Sequence, residues 1–411
     1  MRPLLTSPRV LAAAALALLA ACGDPLPVGT PQPVDNPAPT GSAQPALAVG
    51  RNGRAWMSWL EARAGGSHAF VVAVRDTGGW SAPRVVAEGE SLLANWADVP
   101  VVAEGRDGTL AAAWLVRGVH GYSIRVATSH DDGATWTRPV SPHTDGTDTE
   151  HGFVSWIVEP DSMSLVWLDG RQYALADSTK RVMQLAWTGL RADGTTHREL
   201  FLDEKICDCC QTSAVVTGTT TLVAYRNRTD AEIRDIHVQR IANRVVFPGA
   251  PVHRDNWHFA GCPVNGPSLA ARGASVAVAW FTAAGDTARV RLAWSRDTGM
   301  TWGPAVEVHE RSGREGATGR PEGRVQVVLT PGGDALVAWV EVREGASVLV
   351  ARRIGADGSK GAPVEVTRVA NGKRAAGFAK MVALDSAALV AWTDAGANRV
   401  RTALIPFAAR P

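Results

Sequence analysis

The chain has 411 residues, with 42 basic against 40 acidic side chains and a formal charge of +2. Near-neutrality without a long basic run excludes an electrostatic nucleic-acid partner. The length would suit two or three ordinary domains, but a short unit repeated from residue 45 onward points to one domain built of many small units.

Residues 1–21 read as an export signal. Arg2 and Arg9 supply the positive region, and the apolar run 10–21 is too short to span a bilayer. Leu19, Ala20, Ala21, Cys22 and Gly23 resemble the bacterial lipoprotein box. That resemblance implies cleavage before Cys22, lipidation of its sulfur, and stable anchoring by two or three acyl chains. A residue other than Asp after Cys22 implies sorting to the outer membrane of a double-membrane bacterium. Residues 22–44, rich in Pro and polar residues, read as the lipidated Cys and a tether. Residues 45–411 read as the folded domain.

From there a strand ending in a large aromatic recurs about every 55 residues, at Trp59, Trp114, Trp167, Tyr225, Trp280, Trp339 and Trp392. Each unit carries four short strand signals bounded by Gly, Asp and Asn turns. In the second unit they fall at 99–103, 110–115, 123–128 and 137–140. First strands begin near 45, 97, 150, 209, 262, 321 and 373. Helical periodicity is missing outside the signal segment. The expected fold is all-β: a β-propeller of four-stranded antiparallel blades, seven in number, or six if a terminal unit is irregular. The last unit has room for three strands, so a segment within 25–35 is expected to add the fourth and close the ring, removing the open sheet edges.

Two units contain a full turn motif, Ser129-His-Asp131-Asp-Gly133-Ala-Thr135-Trp136 and Ser295-Arg-Asp297-Thr-Gly299-Met-Thr301-Trp302. Its Asp accepts backbone N–H groups within the turn and its Gly supplies a permissive φ. These Asp boxes resemble those of the sialidase superfamily, the BNR-repeat proteins, and the likeness covers 45–411. The segments 150–155, 167–171, 207–212, 232–236 and 262–267 look like an exported bacterial sialidase-like subgroup. Sialidases use three Arg, a Tyr nucleophile with a Glu partner and an Asp acid, and carry an Arg-Ile-Pro motif. This chain has no Arg-Ile-Pro and no Tyr after Tyr225. Its enzymatic status therefore stays open: the resemblance implies exo-sialidase-like glycoside hydrolysis, but no sialidase catalytic set maps onto it.

In propellers the loops leading into first strands and out of second strands crowd the axis. The inbound loops offer Asp98, His151, Cys207 to Gln211, His258, Cys262, Asn265, Glu322, Arg324 and Lys380. The outbound loops offer Arg117, Asp169, Arg171, Arg226, Arg228, Glu232, Arg234, Glu341 and Asp394. Arg171, Arg226, Arg228, Arg234 and Arg324 are the candidate ligand-binding forks for a carboxylate; the alternative is that they pair with nearby acids to hold the loops. Asp98, His151, Asp169 and Glu232 are the weak catalytic candidates. Cys207, Cys209, Cys210 and Cys262 are expected to form disulfides in an oxidising compartment, one bridge joining the 207–210 cluster to Cys262. No cofactor is expected on that reading. The alternative is a copper or zinc site from Cys207, Cys209, Cys210, His258 and Cys262. The leading functional expectation is a membrane-anchored sialidase-like propeller that binds an anionic or glycan ligand at the axial funnel. The alternatives are a non-catalytic scaffold for envelope proteins and the copper- or zinc-binding propeller.

Overall fold

The computed structural model describes residues 26–191, 193–310, 319–369 and 377–408. The signal segment and Cys22 lie outside the described residues. The described chain forms seven antiparallel blades around a central axis. Their innermost strands are Ser42–Val49, Val101–Glu104, His151–Val158, Ser213–Thr217, Ser268–Arg272, Arg320–Leu329 and Lys380–Ala383. Each neighbours the next, and the last neighbours the first. Six blades are thereby ruled out. Blade two is the irregular one: its fourth position is a single bridge between Val126 and Val140.

Residues 26–44 belong to the ring and do not form a free tether. Gln32–Val34 pairs antiparallel with Arg399–Pro406 as the outer strand of blade seven. Asn36 Nδ2 donates to Val400 O at 3.3 Å and Thr402 Oγ1 at 3.2 Å. The proline content that suggested a tether suits a sheet edge, where a missing N–H is tolerated. First strands begin between three residues earlier, at Ser42, and seven residues later, at Lys380, than the sequence spacing implied.

The recurring aromatics explain the packing. Trp59, Trp167, Trp280, Trp339 and Tyr225 are at most 1% exposed and fill the gaps between blades. Three carry the same local device. The indoles of Trp59, Trp167 and Trp339 donate to Glu61, Asp169 and Glu341, two residues on, at 2.8, 3.0 and 2.8 Å. An Arg two residues further pairs with each acid: Arg63, Arg171 and Arg343, at 2.6, 2.7 and 2.5 Å. A buried carboxylate is thus doubly satisfied at the head of the second strand in blades one, three and six.

The Asp boxes lie at the opposite, lower rim, between third and fourth strands. Asp131 Oδ1 accepts from Thr135 N at 2.8 Å, and the Thr135 hydroxyl donates to Asp131 Oδ2 at 2.7 Å. These bonds hold the Asp131 carboxyl down at about 2. Gly299 has φ +80°, and a Cβ there would sit 2.7 Å from Leu222 of the neighbouring blade.

At the upper end, first strands carry bulges whose central residues have positive φ: Gln44 at 58°, Phe153 at 57° and Arg324 at 56°. Each of their N–H groups is taken by a side chain of the preceding blade: Thr393 Oγ1 at 3.0 Å, Asp98 Oδ2 at 2.7 Å and Asn265 Oδ1 at 2.8 Å. Local strain of this kind persists only where neighbours fix it.

The cysteines are paired as Cys207–Cys210 and Cys209–Cys262. The second bond staples the loop into blade four to the loop into blade five, as the inbound placement of these residues implied. It closes a loop with a sequence separation of 53, worth about 4 kcal/mol by chain entropy. A Cys209→Ser/Cys262→Ser variant is expected to lose about that much stability in urea unfolding at unchanged slope; a loss under about 1 kcal/mol would show that the staple constrains little.

Candidate functional site

The upper face is set by the inbound and outbound loops, and apolar side chains crowd the axis there. Trp96, Ala97, Phe153, Val264 and Phe378 form one apolar cluster over it. Trp96 and Phe378 stack with centroids 5.9 Å apart. Beneath this cluster runs a cavity of about 290 Å³ lined by Asp98, Ser155, Gln211, Thr212 and Lys380 among others. Asp98 is 5% exposed. Burial raises its carboxyl to about 7, against the opposing pull of the Phe153 N–H bond and Lys380. Burial lowers the Lys380 ammonium to about 8, opposed by the Asp98 charge. The axial funnel read from the sequence is a cavity lined by the first strands of blades one to four and still open to solvent. Three inbound loops and the bulged first strand of blade three each contribute an apolar residue there, which residue-type counting of polar groups overlooks.

The five candidate arginines do not converge on that axis. Arg226 is 1% exposed. Its guanidinium donates to three backbone carbonyls: Asn265 at 2.9 Å, Arg234 at 2.5 Å and Phe281 at 2.7 Å. It also lies 4.8 Å from the Trp257 ring centroid. Burial pulls it down to about 9, still charged at neutral pH, with Asp255 and Asp235 opposing the shift. Arg324 is 4% exposed with its guanidinium 5.8 Å from the Phe378 ring centroid. Arg171 belongs to the recurring Trp–acid–Arg device and pairs with Asp169.

Arg228 and Arg234 build something different. Arg228 holds Glu232 through Nη2 at 2.8 Å and Asp208 through Nη1 at 3.0 Å. The Tyr173 hydroxyl donates to Asp208 Oδ1 at 3.1 Å. Arg234 holds the other Glu232 oxygen at 2.6 Å and donates to Phe259 O at 3.1 Å. Burial would raise the Glu232 carboxyl, but Arg228 and Arg234 outweigh it and hold it below its ordinary value. Glu232 has φ +56°, a left-handed turn that aims its carboxylate back between the two arginines. Around the group, Tyr173 is 37% and Phe259 38% exposed. The cluster spans blades three, four and five, off the axis and open to solvent. Asp208, between two disulfide cysteines, and Tyr173, two residues after Arg171, both sit in loops the sequence marked, but no motif singles them out. Phe259 follows His258, itself exposed, on the same strip.

A second cluster is buried between blades two and three. His151 is fully buried, and its Nε2 lies 3.3 Å from Asp145 Oδ1 and 3.5 Å from Asp169 Oδ1. Its ring stacks on His143 with centroids 3.9 Å apart. His143 Nδ1 meets Asp145 Oδ1 at 2.9 Å. Arg171 adds a bond to Glu199 at 3.3 Å. His143, Asp145 and Glu199 gave no sequence signal, because the link 141–150 and the rim of blade three meet only in space. His143, Asp145 and His151 are close enough to share a metal ion. Their rings are parallel within 4°, so the two lone-pair directions do not converge, and Arg171 approaches Asp145 to 3.6 Å. The set suits a charged His151 held by two carboxylates better than a cation. At the cysteines, all four sulfurs are spent on each other, so copper or zinc there would require both bonds to be reduced.

The remaining loop acids serve structure. Glu341 is fully buried on Trp339, Arg343 and the Gly319 N–H. Asp394 caps its own turn through Ala397 N at 3.0 Å.

Seven antiparallel blades closed into a ring make this a β-propeller. No known protein family and no curated protein matches the sequence. Solved structures do. An ulvan lyase of polysaccharide lyase family PL25 is 13% identical with a TM-score of 0.54, over 92% of this chain and 96% of its own. Polysaccharide lyase Uly1 is 10% identical with a TM-score of 0.54, over 91% of each chain. The NanB sialidase of Streptococcus pneumoniae is 12% identical with a TM-score of 0.44, over 91% of this chain and 70% of its own. At such identities what the two lyases share with this chain is the fold.

Burial lowers His151, but the Asp145 and Asp169 carboxylates, 3.3 and 3.5 Å from Nε2, more than reverse this and hold it up at about 9. A folded value above the ordinary 6.5 adds stability that is complete below pH 6.5 and is lost as pH rises through 9. The contribution is about 3 kcal/mol. Urea midpoints of wild type should fall between pH 6 and 10 relative to those of His151→Gln; parallel profiles would refute a charged His151.

Proposed function

We propose that this protein is a membrane-anchored propeller that recognises a glycan at the off-axis cluster of Tyr173, Asp208, Arg228, Glu232 and Phe259. The observation that carries the reading is Arg228, held between two carboxylates and still 22% exposed along its side chain. Asp208 and Glu232 already balance Arg228 and Arg234, so a bare anion gains little there. Sugar hydroxyls fit better: they donate to the carboxylates and accept from the guanidinium, while Tyr173 and Phe259 offer ring faces for the apolar side of a sugar. Both carboxylates are bound by arginine, so recognition is the primary role and hydrolysis a branch of it. Lipidation at Cys22 supplies the membrane anchor, and the outer membrane is its proposed address.

A glycan array run alongside a fluorogenic glycoside panel tests this. Wild type should bind a defined set of glycans, and Arg228→Ala should weaken that binding 10- to 100-fold, the effect of losing a charge-assisted pair of hydrogen bonds. Binding that survives Arg228→Ala unchanged would remove this site. Failure to bind any glycan, with envelope proteins co-purifying instead, would favour the scaffold reading.

A further inference from the structure

The described chain begins at a fixed place on the ring. Leu26 is 7% exposed and packs against Gly355 and Gly361. Those glycines bracket the turn between Ala346–Ile354 and Val364–Val369, the third and fourth strands of blade six. This is the lower rim, where the Asp boxes lie. Arg353 Nη1 donates to Pro27 O at 3.3 Å, and Gly29 N donates to Pro406 O at 3.1 Å. Val28 joins the apolar cluster of blades six and seven. From Leu26 the chain climbs through Gln32–Val34 to the upper face and enters blade one there.

Cys22 precedes Leu26 by four residues, a reach of at most about 14 Å even if fully extended. Strands of eight residues such as Arg399–Pro406 make the ring about 26 Å deep. An anchor that leaves the lower rim cannot bring the upper face to the same bilayer. We propose that the lower, Asp-box face of the propeller lies against the lipid surface and that the Arg228 cluster faces away from it. This rests on lipidation at Cys22 as proposed above. The lower face presents apolar tips at Met300, 62% exposed between strands three and four of blade five, and Val245, 52% exposed immediately after the matching turn of blade four. Both are placed to touch head groups.

The orientation can be read on the full-length protein extracted from bacterial membranes and placed in phosphatidylethanolamine–phosphatidylglycerol vesicles that carry a head-group quencher. A fluorescent amino acid replaces either Met300 on the lower face or Val119 on the upper, the latter 86% exposed. Mass spectrometry of the N-terminal peptide first reads the lipid on Cys22. Quenching at position 300 should exceed that at position 119 by about three-fold or more. An insert of about twenty Gly/Ser residues after Gly23, with a coil reach of about 25 Å, should erase the difference. Equal or stronger quenching at position 119 in lipid-bearing protein would overturn the orientation alone. A peptide without lipid would overturn the anchoring reading and the orientation with it.

Discussion

One buried guanidinium organises the upper face. Arg226 gives its donors to carbonyls from the loop after its own strand, from the loop into blade five and from the second strand of blade five. Leaving a charge this deep unpaired would cost several kcal/mol. The three carbonyl bonds and the Trp257 face offset that cost only if both loops and the blade-five strand stand in one arrangement. Once they do, Arg234 meets Glu232, Glu232 meets Arg228, and Arg228 meets Asp208 and Tyr173. The Cys209–Cys262 bond ties the loop into blade five covalently to the loop into blade four, which carries Asp208. The cluster is thus preorganised before any ligand arrives, which reduces the ordering cost of binding.

Apolar crowding at the axis explains why this cluster lies off it. Trp96, Val264 and Phe378 come from three inbound loops, Phe153 from the bulged first strand of blade three, and they pack together at the upper end of the axis. The polar groups beneath them, Asp98 and Lys380, balance each other across the cavity and are shifted towards neutrality by burial. The strip from Tyr173 to Phe259 is accessible. Closure of the ring by Gln32–Val34 then sets the geometry of the whole particle: the chain enters at the lower rim, and its recognition surface lies on the other.

Much of this was legible in the sequence. The regular Trp spacing gave the blade number, because each aromatic fills the same gap between sheets. The missing strand of the last unit pointed to the N-terminal segment, since an open edge in a closed ring is unstable. Cysteine placement on neighbouring inbound loops pointed to the staple between blades. The arginines were harder. Trp59, Glu61 and Arg63, then Trp167, Asp169 and Arg171, then Trp339, Glu341 and Arg343 share one spacing, so a comparison of the repeats against each other marks Arg171 as part of the scaffold. Arg226 lies at the end of a strand where nothing in its neighbours tells a buried fork from an exposed one. His143 and Asp145 meet His151 only through the path of the link between blades, which no periodicity encodes.

The most direct measurement is amide hydrogen exchange in wild type and Arg226→Lys, which keeps the charge but cannot reach three carbonyls. The account predicts exchange at least about ten-fold faster across 232–235 and 257–265, where Arg234 N donates to Trp257 O at 2.8 Å and Phe259 N to Glu232 O at 3.0 Å. Blades one and seven should keep their protection. Unchanged protection across those two loops would contradict the claim that Arg226 assembles the site.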